Sequence, residues 1–284
     1  MPALALGTVQ FGRNYGVSNQ AGQPNMNEVH AILNLARRKG ILLLDTASTY
    51  GEAEQLIGAS PDGHAFKVVG KIHSSINYKQ VKQTCEDSLQ ALRQNCFHAL
   101  LAHSPDLFLN DKGPYFYEQF YELKLAQKIK KIGVSVYDPE ELEQLVESYA
   151  LDCVQLPLNV FDQRFLPLLK FIKSLGIEIH IRSIFLQGLL LMPLTQLPRY
   201  FWPIEKNIQQ YYHFIEARSL SPLKAALSFV QQYNEIDYMV CGVNHSTELE
   251  EIIETINEAV SIDFQSFAIN QTQWISPREW PVLQ

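Results

Sequence analysis

Four residues of the sequence could together move a proton at a reacting oxygen. They are an acid, a phenol, an amine and an imidazole, at Asp45, Tyr50, Lys71 and His103. A phenol has an ordinary pKa of about 10, and a neighbouring ammonium group would lower that pKa by favouring the phenolate. A carboxylate would hold the ammonium in place, and an imidazole could orient a carbonyl oxygen. Such a set could protonate an oxygen that becomes alkoxide-like as hydride arrives, but a cofactor would have to supply the hydride.

Each of these residues has a simpler explanation when it is taken alone. A charged residue that ends a strand, such as Asp45 or Lys71, is often part of an ion pair or a solvated rim. A lone histidine such as His103 is more often structural, and Tyr50 could simply pack against its neighbours. The four residues therefore indicate an active site only if the fold brings them together.

Short apolar runs typical of β-strands recur along the chain, and helix-length segments separate them. The run ILLLD is almost wholly apolar, as expected for a parallel strand that is covered on both faces. The eight predicted strands are Leu4–Thr8, Ile41–Asp45, Phe66–Lys71, His98–Leu101, Ile129–Val134, Cys153–Leu156, Glu178–Ile181 and Tyr238–Cys241.

Between the strands, apolar residues recur with the spacing of an amphipathic helix. Gly40 and Gly176 stand where helix C-caps are expected. The predicted helices are Asn27–Lys39, Tyr78–Arg93, Tyr115–Ala126, Pro139–Tyr149, Gln163–Ser174, Pro222–Gln232 and Thr247–Ala259.

Strict alternation of strands and helices implies a parallel sheet, and eight strands fit a closed (β/α)8 barrel better than an open sheet. The active site of such a barrel lies at the C-terminal ends of its strands. Asp45 ends the second predicted strand, Lys71 ends the third and His103 follows the fourth. Because neighbouring strands are about 5 Å apart, these side chains can meet, with Tyr50 on the loop above them.

A long segment of about fifty residues separates the seventh and eighth predicted strands. It is rich in aromatic residues, including Tyr200, Trp202 and Tyr211, and it could form a lid over the barrel mouth or a helix packed on the surface. No linker or change in composition divides the chain, so we expect one domain over residues 1–284.

Composition excludes several classes of function. The net charge is −7, and we find no Lys/Arg run typical of nucleic-acid binding. No apolar stretch approaches the roughly 18 residues that span a membrane, and the first residues do not resemble a signal peptide. The four cysteines show no metal-ligand spacing, and Cys153 and Cys241 lie in apolar segments, as buried thiols would. We therefore expect a cytoplasmic protein with no metal, nucleic-acid or membrane partner.

Several segments, in order along the chain, resemble those of the aldo-keto reductases. They are LGTVQFG at Leu6–Gly12, LLLDTASTYGEAEQLIG at Leu42–Gly58, VVGK at Val68–Lys71, LLAHSPD at Leu100–Asp106, IGVSVYDPEEL at Ile132–Leu142, QLPLNVFD at Gln155–Asp162 and CGVNHSTELEE at Cys241–Glu251. The resemblance covers essentially the whole chain, and it implies the same (β/α)8 barrel that the strand count predicts.

The resemblance also implies roles for individual residues. Tyr50 would be the general acid in reduction of an aldehyde, ketone or sugar-like carbonyl, Lys71 and Asp45 would tune it, and His103 would orient the carbonyl. The hydride would come from the nicotinamide of NADP(H) or NAD(H). The residues expected to contact this cofactor are Ser135, Gln155, Arg182, Ser183, Gln187, Gly242, Glu248 and Glu251.

Three positions depart from the family pattern. Val136 replaces the usual asparagine after Ser135, and Arg182 replaces the aromatic residue that stacks on the nicotinamide. An arginine plane can still stack on a ring, and its charge could meet a phosphate or an acidic substrate. Glu248 replaces an arginine that holds the adenosine 2′-phosphate, which favours NADH over NADPH unless a basic group such as His245 compensates.

These departures leave three functional interpretations. The first is a carbonyl reductase acting on a small molecule, as a monomer or a small homo-oligomer. The second is a nucleotide-binding or regulatory protein that keeps the barrel but little catalysis. The third, a lyase or isomerase without redox chemistry, has no metal cluster or phosphate-loop signature to support it.

Overall fold

Eight parallel strands close into a single barrel in the computed structural model, which describes residues 1–281. Each strand pairs with the next one along the chain, and the eighth pairs with the first. The predicted strand count, order and barrel are therefore confirmed. The strands are β1 (Ala3–Gly7), β2 (Leu43–Asp45), β3 (Lys67–Ile72), β4 (Ala99–Ala102), β5 (Ile132–Ser135), β6 (Cys153–Pro157), β7 (Glu178–Arg182) and β8 (Tyr238–Gly242).

Strand boundaries differ from the predicted ones most clearly at β5. We predicted that this strand begins at Ile129, but it begins at Ile132, because Ile129 makes only an isolated bridge to Phe97. Thr8, predicted to end β1, instead lies at the N-cap of a short helix. The apolar character of both segments was identified correctly, but hydrophobicity alone does not mark where ladder pairing begins and ends.

Helices cover the outside of the barrel. All seven predicted helices are present, and Gly40 and Gly176 end two of the helical segments with φ angles of 78° and 76°. The helices are α1 (Val9–Gly12), α2 (Met26–Arg38), α3 (Ala53–Ala59), α4 (Val81–Leu92), α5 (Asp106–Leu109), α6 (Gly113–Leu125), α7 (Pro139–Ser148), α8 (Leu169–Ser174), α9 (Glu205–Glu216), α10 (Pro222–Gln231), α11 (Ser246–Ile256) and α12 (Thr272–Ile275). We did not predict α1, α3, α5 and α12, which are too short to show a clear helical period. Helix α9 lies in the long segment for which we left a lid and a packed helix as alternatives.

The aromatic part of the long segment between β7 and β8 packs on the barrel, whereas residues near the two ends of the segment reach the barrel mouth. A 3-10 helix at Arg199–Ile204 leads into α9, and Phe201 and Tyr211 are fully buried. The C-terminal tail lies on this segment, since Trp280 packs on Phe201 with ring centroids 4.8 Å apart. Of the two interpretations of the segment, the structure thus supports the packed one.

A partly buried polar cluster lies at the base of the barrel. Glu178 at the start of β7 shares hydrogen bonds of 2.8 Å with Nε2 of His98 and Nε2 of His180, and it forms an ion pair with Lys131. Burial alone would raise the pKa of Glu178, but the hydrogen bonds from His180, His98 and Lys131 outweigh burial and lower it. The ligand atoms of His98, Glu178 and His180 lie within 4.8 Å of one another, a spacing that could hold a metal ion. The positive charge of Lys131 beside Glu178 disfavours a metal cation there.

The cysteines and the longer helices follow this packing. Cys153 and Cys241 are buried free thiols, as predicted. Within residues 1–281, no helix is both long and apolar enough to cross a membrane.

Candidate active site

A cavity of about 990 Å³ opens at the C-terminal ends of the strands. Of the twelve residues that we predicted for the site, eleven line it, and Lys71 lies buried beneath it. The lining residues among them are Asp45, Tyr50, His103, Ser135, Gln155, Arg182, Ser183, Gln187, Gly242, Glu248 and Glu251. The fold therefore brings the whole predicted set together.

An ion pair between Lys71 and Asp45 forms the floor of the cavity. Asp45 at the end of β2 and Lys71 near the end of β3 are almost fully buried, and Lys71 Nζ contacts Asp45 Oδ1. Gln155 on β6 donates from Nε2 to the other carboxylate oxygen at 2.7 Å, and Lys71 Nζ also lies 3.3 Å from the Thr46 carbonyl oxygen. The carboxylate is thus satisfied on both oxygens, as a buried charge must be.

Tyr50 stands above this ion pair, on a loop that two glycines fix in place. Gly51 has a φ of 55°, and a Cβ at Gly12 would lie 1.7 Å from the Tyr50 carbonyl oxygen, so only glycine allows the two loops to approach so closely. The Tyr50 ring centroid lies 5.4 Å from Lys71 Nζ and 5.8 Å from the His103 ring centroid. Phenol, ammonium and imidazole are therefore within one small volume.

The pKa of Tyr50 shifts in the direction opposite to the expected one. Burial raises it, and the nearby Asp45 carboxylate raises it further. The ammonium of Lys71 does not dominate, because the carboxylate of Asp45 offsets its charge. Tyr50 is thus a protonated phenol at neutral pH, which can donate its proton to an oxygen but does not rest as phenolate.

His103 is a neutral imidazole. Burial lowers its pKa to about 3, and the positive charge of Lys71 adds to the shift. His73 lies beside it, with ring centroids 6.1 Å apart, and Nδ1 of His73 accepts from the Ser75 backbone N–H at 3.1 Å. A neutral imidazole can offer an N–H donor to a carbonyl oxygen without adding charge to the cavity.

Arg182 occupies the position that the resemblance assigns to a nicotinamide-stacking ring. Its guanidinium donates to Ser135 Oγ at 3.3 Å and to the Val136 carbonyl oxygen at 2.9 Å. Its Cζ also lies 4.3 Å from the centroid of the Tyr137 ring. Arg182 thus presents a flat, fixed surface at the barrel mouth.

Loops after β1, β7 and β8 meet at one side of the cavity. Val17 N–H donates to the Gln187 carbonyl oxygen at 2.8 Å, and Asn19 Nδ2 lies 3.1 Å from Asn244 Oδ1. Gly188 packs so closely that a Cβ there would lie 1.8 Å from Ser18 Oγ. These loops form a cleft with polar backbone that leads to Asp45, Tyr50 and His103.

One end of the cleft is acidic. Glu248 and Glu251 are exposed on α11, and Glu248 accepts a hydrogen bond of 2.7 Å from the Asn244 backbone N–H. His245, which we considered as a compensating cation, lies with Nδ1 3.3 Å from Glu28 Oε1. A hydrogen bond from the Ser246 backbone lowers the pKa of Glu28, so this acid is ionised at neutral pH. Sequence reasoning missed Glu28, which comes from the distant helix α2.

Other lining residues also escaped prediction. Arg13 and Tyr15 follow α1, Tyr137 follows β5, and Arg278 comes from the C-terminal tail. Burial raises the pKa of Tyr15 to about 12, so its phenol is neutral. The position of Tyr137 directly after a predicted strand was a usable signal, whereas nothing in the sequence placed Arg278 at the mouth.

Comparison with known proteins gives the following likenesses. An aldo-keto reductase from Bacillus halodurans, in its holo form, matches with a TM-score of 0.76 and 17% identity over 94% of each chain. The glycerol dehydrogenase from Gluconobacter oxydans matches with a TM-score of 0.70 and 19% identity over 93% of this chain and 89% of that one. A Pseudomonas aeruginosa protein described as an aldo-keto reductase has a TM-score of 0.68 and 21% identity over 91% of this chain and 90% of that one. At these identities the likeness establishes the fold.

Sequence comparison is more specific. Among curated proteins, none matches the chain. The model of the Aldo/keto reductase family matches residues 3–268, which is nearly the whole sequence. The chain belongs to the aldo/keto reductase family.

Proposed function

We propose that this protein reduces an aldehyde, ketone or sugar-like carbonyl with hydride from a nicotinamide cofactor, and that Tyr50 is the general acid. The observation that carries the proposal is the position of the Tyr50 phenol, protonated at neutral pH and directly above the buried Lys71–Asp45 pair. Family membership supports oxidoreductase chemistry on carbonyl compounds.

Each neighbour of Tyr50 has a distinct proposed role. His103 donates a hydrogen bond to the carbonyl oxygen and orients it, because its imidazole stays neutral. Tyr50 then transfers its phenolic proton to the same oxygen as negative charge develops there. The Lys71 ammonium stabilises the phenolate that remains, and Asp45 fixes that ammonium below the ring. In the reverse direction the phenolate accepts the proton of an alcohol.

The nicotinamide ring, when bound, supplies the hydride. Arg182 is proposed to lie against this ring, while Ser135 and Gln155 hold its carboxamide. The loop that contains Ser183 and Gln187 is proposed to hold the pyrophosphate. Gly242 also lines the cavity, where a Cβ would lie 2.3 Å from Gln10 Oε1, so a side chain at this position would clash with Gln10.

NADH is the proposed cofactor in preference to NADPH. Glu248 and Glu251 line the region where a 2′-phosphate would need a cation, and His245, the nearby basic group, lies against Glu28. Carboxylates repel a dianionic phosphate but can accept hydrogen bonds from a ribose hydroxyl.

Substitution of Tyr50 by phenylalanine tests the proposed acid. Tyr50→Phe removes only the hydroxyl, so we expect kcat to fall by about 100-fold to 10,000-fold, which is the usual contribution of a general acid. The dissociation constant of NADH, followed by tryptophan fluorescence, should change by less than about threefold. Turnover would be measured as loss of NADH absorbance with a panel of aldehydes and ketones.

A matched control removes the same hydroxyl elsewhere. Tyr121 is half-exposed on α6, away from the cavity, and Tyr121→Phe should keep full turnover. Unchanged turnover in Tyr50→Phe would exclude Tyr50 as the acid.

A regulatory nucleotide-binding function is the second candidate. The altered positions Val136, Arg182 and Glu248 favour it, because they lie where the family pattern expects cofactor contacts. Tight binding of NADH without turnover of any carbonyl in the panel would support this function over reduction.

A further inference from the structure

The mouth of the cavity has more positive charge than reduction of a neutral carbonyl needs. We propose that Arg13 and Arg278 form a subsite for an anionic group of the substrate, either a carboxylate or a phosphate monoester. This proposal rests on the proposed carbonyl reduction, since it names the class of substrate that enters the same site.

Two arginines lie against one aromatic ring at this mouth. The Cζ atom of Arg182 is 4.3 Å from the Tyr137 ring centroid, and the Cζ atom of Arg278 is 5.0 Å from it. Among the described residues, Arg182 donates to neutral groups, which are two hydroxyls and the Val136 carbonyl oxygen. The ring orients both cations but does not neutralise them, so positive charge remains at this mouth to attract an anion.

Arg13 adds a third cation from the loop after α1. It lines the cavity, and its charge acts on the two catalytic groups Tyr50 and His103, although burial dominates their pKa values. Arg13 therefore shares the cavity with the two residues that are proposed to hold the substrate carbonyl.

Within residues 1–281, none of these three arginines forms an ion pair with a carboxylate, and the arginines that do form one are Arg37 and Arg164. Glu279, the acid next to Arg278 in the sequence, instead accepts from Thr272 Oγ1 at 3.3 Å. The guanidinium groups of Arg13 and Arg278 can therefore bind an oxyanion, for which their planar fork is well suited.

The surrounding structure fixes the subsite in advance. Arg164 holds the Tyr137 backbone, since its Nη2 donates to the Tyr137 carbonyl oxygen at 3.0 Å. The tail that carries Arg278 is anchored on both sides, because Trp274 packs on Tyr200 and Trp280 packs on Phe201. A prearranged site loses less conformational entropy when it binds a ligand.

Aldehydes that differ only in charge test the proposal. We would compare 4-formylbenzoate and 4-formylphenyl phosphate with the neutral methyl 4-formylbenzoate in the full chain with NADH. We expect kcat/KM to be at least tenfold higher for one of the two anions than for the ester, and the better anion identifies the group. In Arg278→Ala and Arg13→Ala, the ratio of kcat/KM for the anion to kcat/KM for the ester should fall at least fivefold, mainly because KM for the anion rises. In Arg278→Lys, this kcat/KM ratio should lie between those of Arg278→Ala and the unmodified protein.

Arg199→Ala is the matched control. Arg199 is also an exposed arginine against an aromatic ring, with its Cζ 5.6 Å from the Trp202 centroid, but it does not line the cavity. In Arg199→Ala, the ratio of kcat/KM for the anion to kcat/KM for the ester should stay within twofold of its value in the unmodified protein. Equal kcat/KM for anion and ester, or an equal fall of both in Arg278→Ala, would overturn the proposal.

A binding measurement keeps the test independent of turnover. Calorimetric titration with 4-formylbenzoate and 4-formylphenyl phosphate should give, for the preferred anion, a Kd at least fivefold weaker in Arg278→Ala than in the unmodified protein, even if no carbonyl is reduced. An unchanged Kd for both anions would contradict the anion subsite. Loss of NADH affinity in Arg278→Ala, with no change for the anions, would assign the arginine to the cofactor and also overturn the proposal.

Discussion

At the scale of single residues, the chemistry depends on which charges cancel. The Lys71 ammonium is matched by Asp45, and Gln155 satisfies the second carboxylate oxygen. Tyr50 above this neutral pair keeps its proton at physiological pH, because burial and Asp45 raise its pKa. In the proposed reduction, the cluster gives a proton to a forming alkoxide and stabilises the phenolate only afterwards.

We propose that single residues also determine the preference for NADH over NADPH. We expect NADH to bind at least tenfold more tightly than NADPH, because ionised carboxylates repel a 2′-phosphate. Glu248→Gln removes one charge but keeps an oxygen that can accept from the Asn244 N–H. This variant should bind NADPH more tightly, so that the ratio of the NADPH Kd to the NADH Kd falls at least threefold. Quenching of tryptophan fluorescence measures both affinities.

The neighbouring Glu250→Gln provides the control for that experiment. Glu250 is equally exposed on α11 but does not line the cavity, so the ratio should be unchanged. A tenfold preference of the unmodified protein for NADPH would refute the proposed role of Glu248.

At the scale of elements, strand β7 links the two ends of the barrel. Successive side chains of a strand point to opposite faces, so Glu178, His180 and Arg182 lie on the same face of β7. Glu178 and His180 belong to the polar cluster at the base, and Arg182 lines the cavity at the mouth. Glu178 joins β7 to His98, next to β4, and to Lys131, next to β5. These contacts cross the barrel, so we expect them to stabilise its closure.

Substitution of Glu178 by glutamine tests that role. Glu178→Gln should lower the free energy of unfolding at pH 7 by about 1–3 kcal/mol, since it weakens three hydrogen bonds from charged or polar donors. The folded state lowers the pKa of Glu178, so its stabilisation is present at neutral pH and is lost as the pH falls below the ordinary value near 4.3. The difference between the two proteins should therefore narrow by about 1 kcal/mol between pH 7 and pH 3.5.

Denaturant unfolding at the two pH values measures this difference. Glu143→Gln, which changes an exposed acid on α7, should alter stability by less than about 0.5 kcal/mol. Equal stability of Glu178→Gln and the unmodified protein at pH 7 would show that the cluster does not hold the barrel closed.

The sequence allowed prediction of those elements and site residues whose position follows from local pattern. Asp45 and Lys71 could be placed together because they end consecutive parallel strands, and β-strand spacing then fixes their distance. The contacts of Glu28 with α11 and of Arg278 with Tyr137 could not be predicted, because they join segments far apart in the chain whose packing depends on the whole fold. The shift of the Tyr50 pKa was predicted with the wrong sign, since burial cannot be read from residue types alone.

At the scale of the whole molecule, a closed barrel supports a mouth built from distant segments. Loops after β1, β7 and β8 and the C-terminal tail all contribute to one cavity of about 990 Å³. Acids lie on α11 and arginines lie near Tyr137, so the cavity has charge of both signs although the chain as a whole is negative. We propose that this cavity binds a dinucleotide and a carbonyl substrate side by side.

Transfer of deuterium from the cofactor to a carbonyl carbon tests this account most directly. The protein would be incubated with NADH deuterated at C4 and with the panel of aldehydes, including the anionic ones, and the alcohols would be analysed by mass spectrometry. We predict that at least one alcohol carries a single deuterium on the former carbonyl carbon. Tight NADH binding with no deuterated alcohol from any member of the panel would contradict the proposed reductase function.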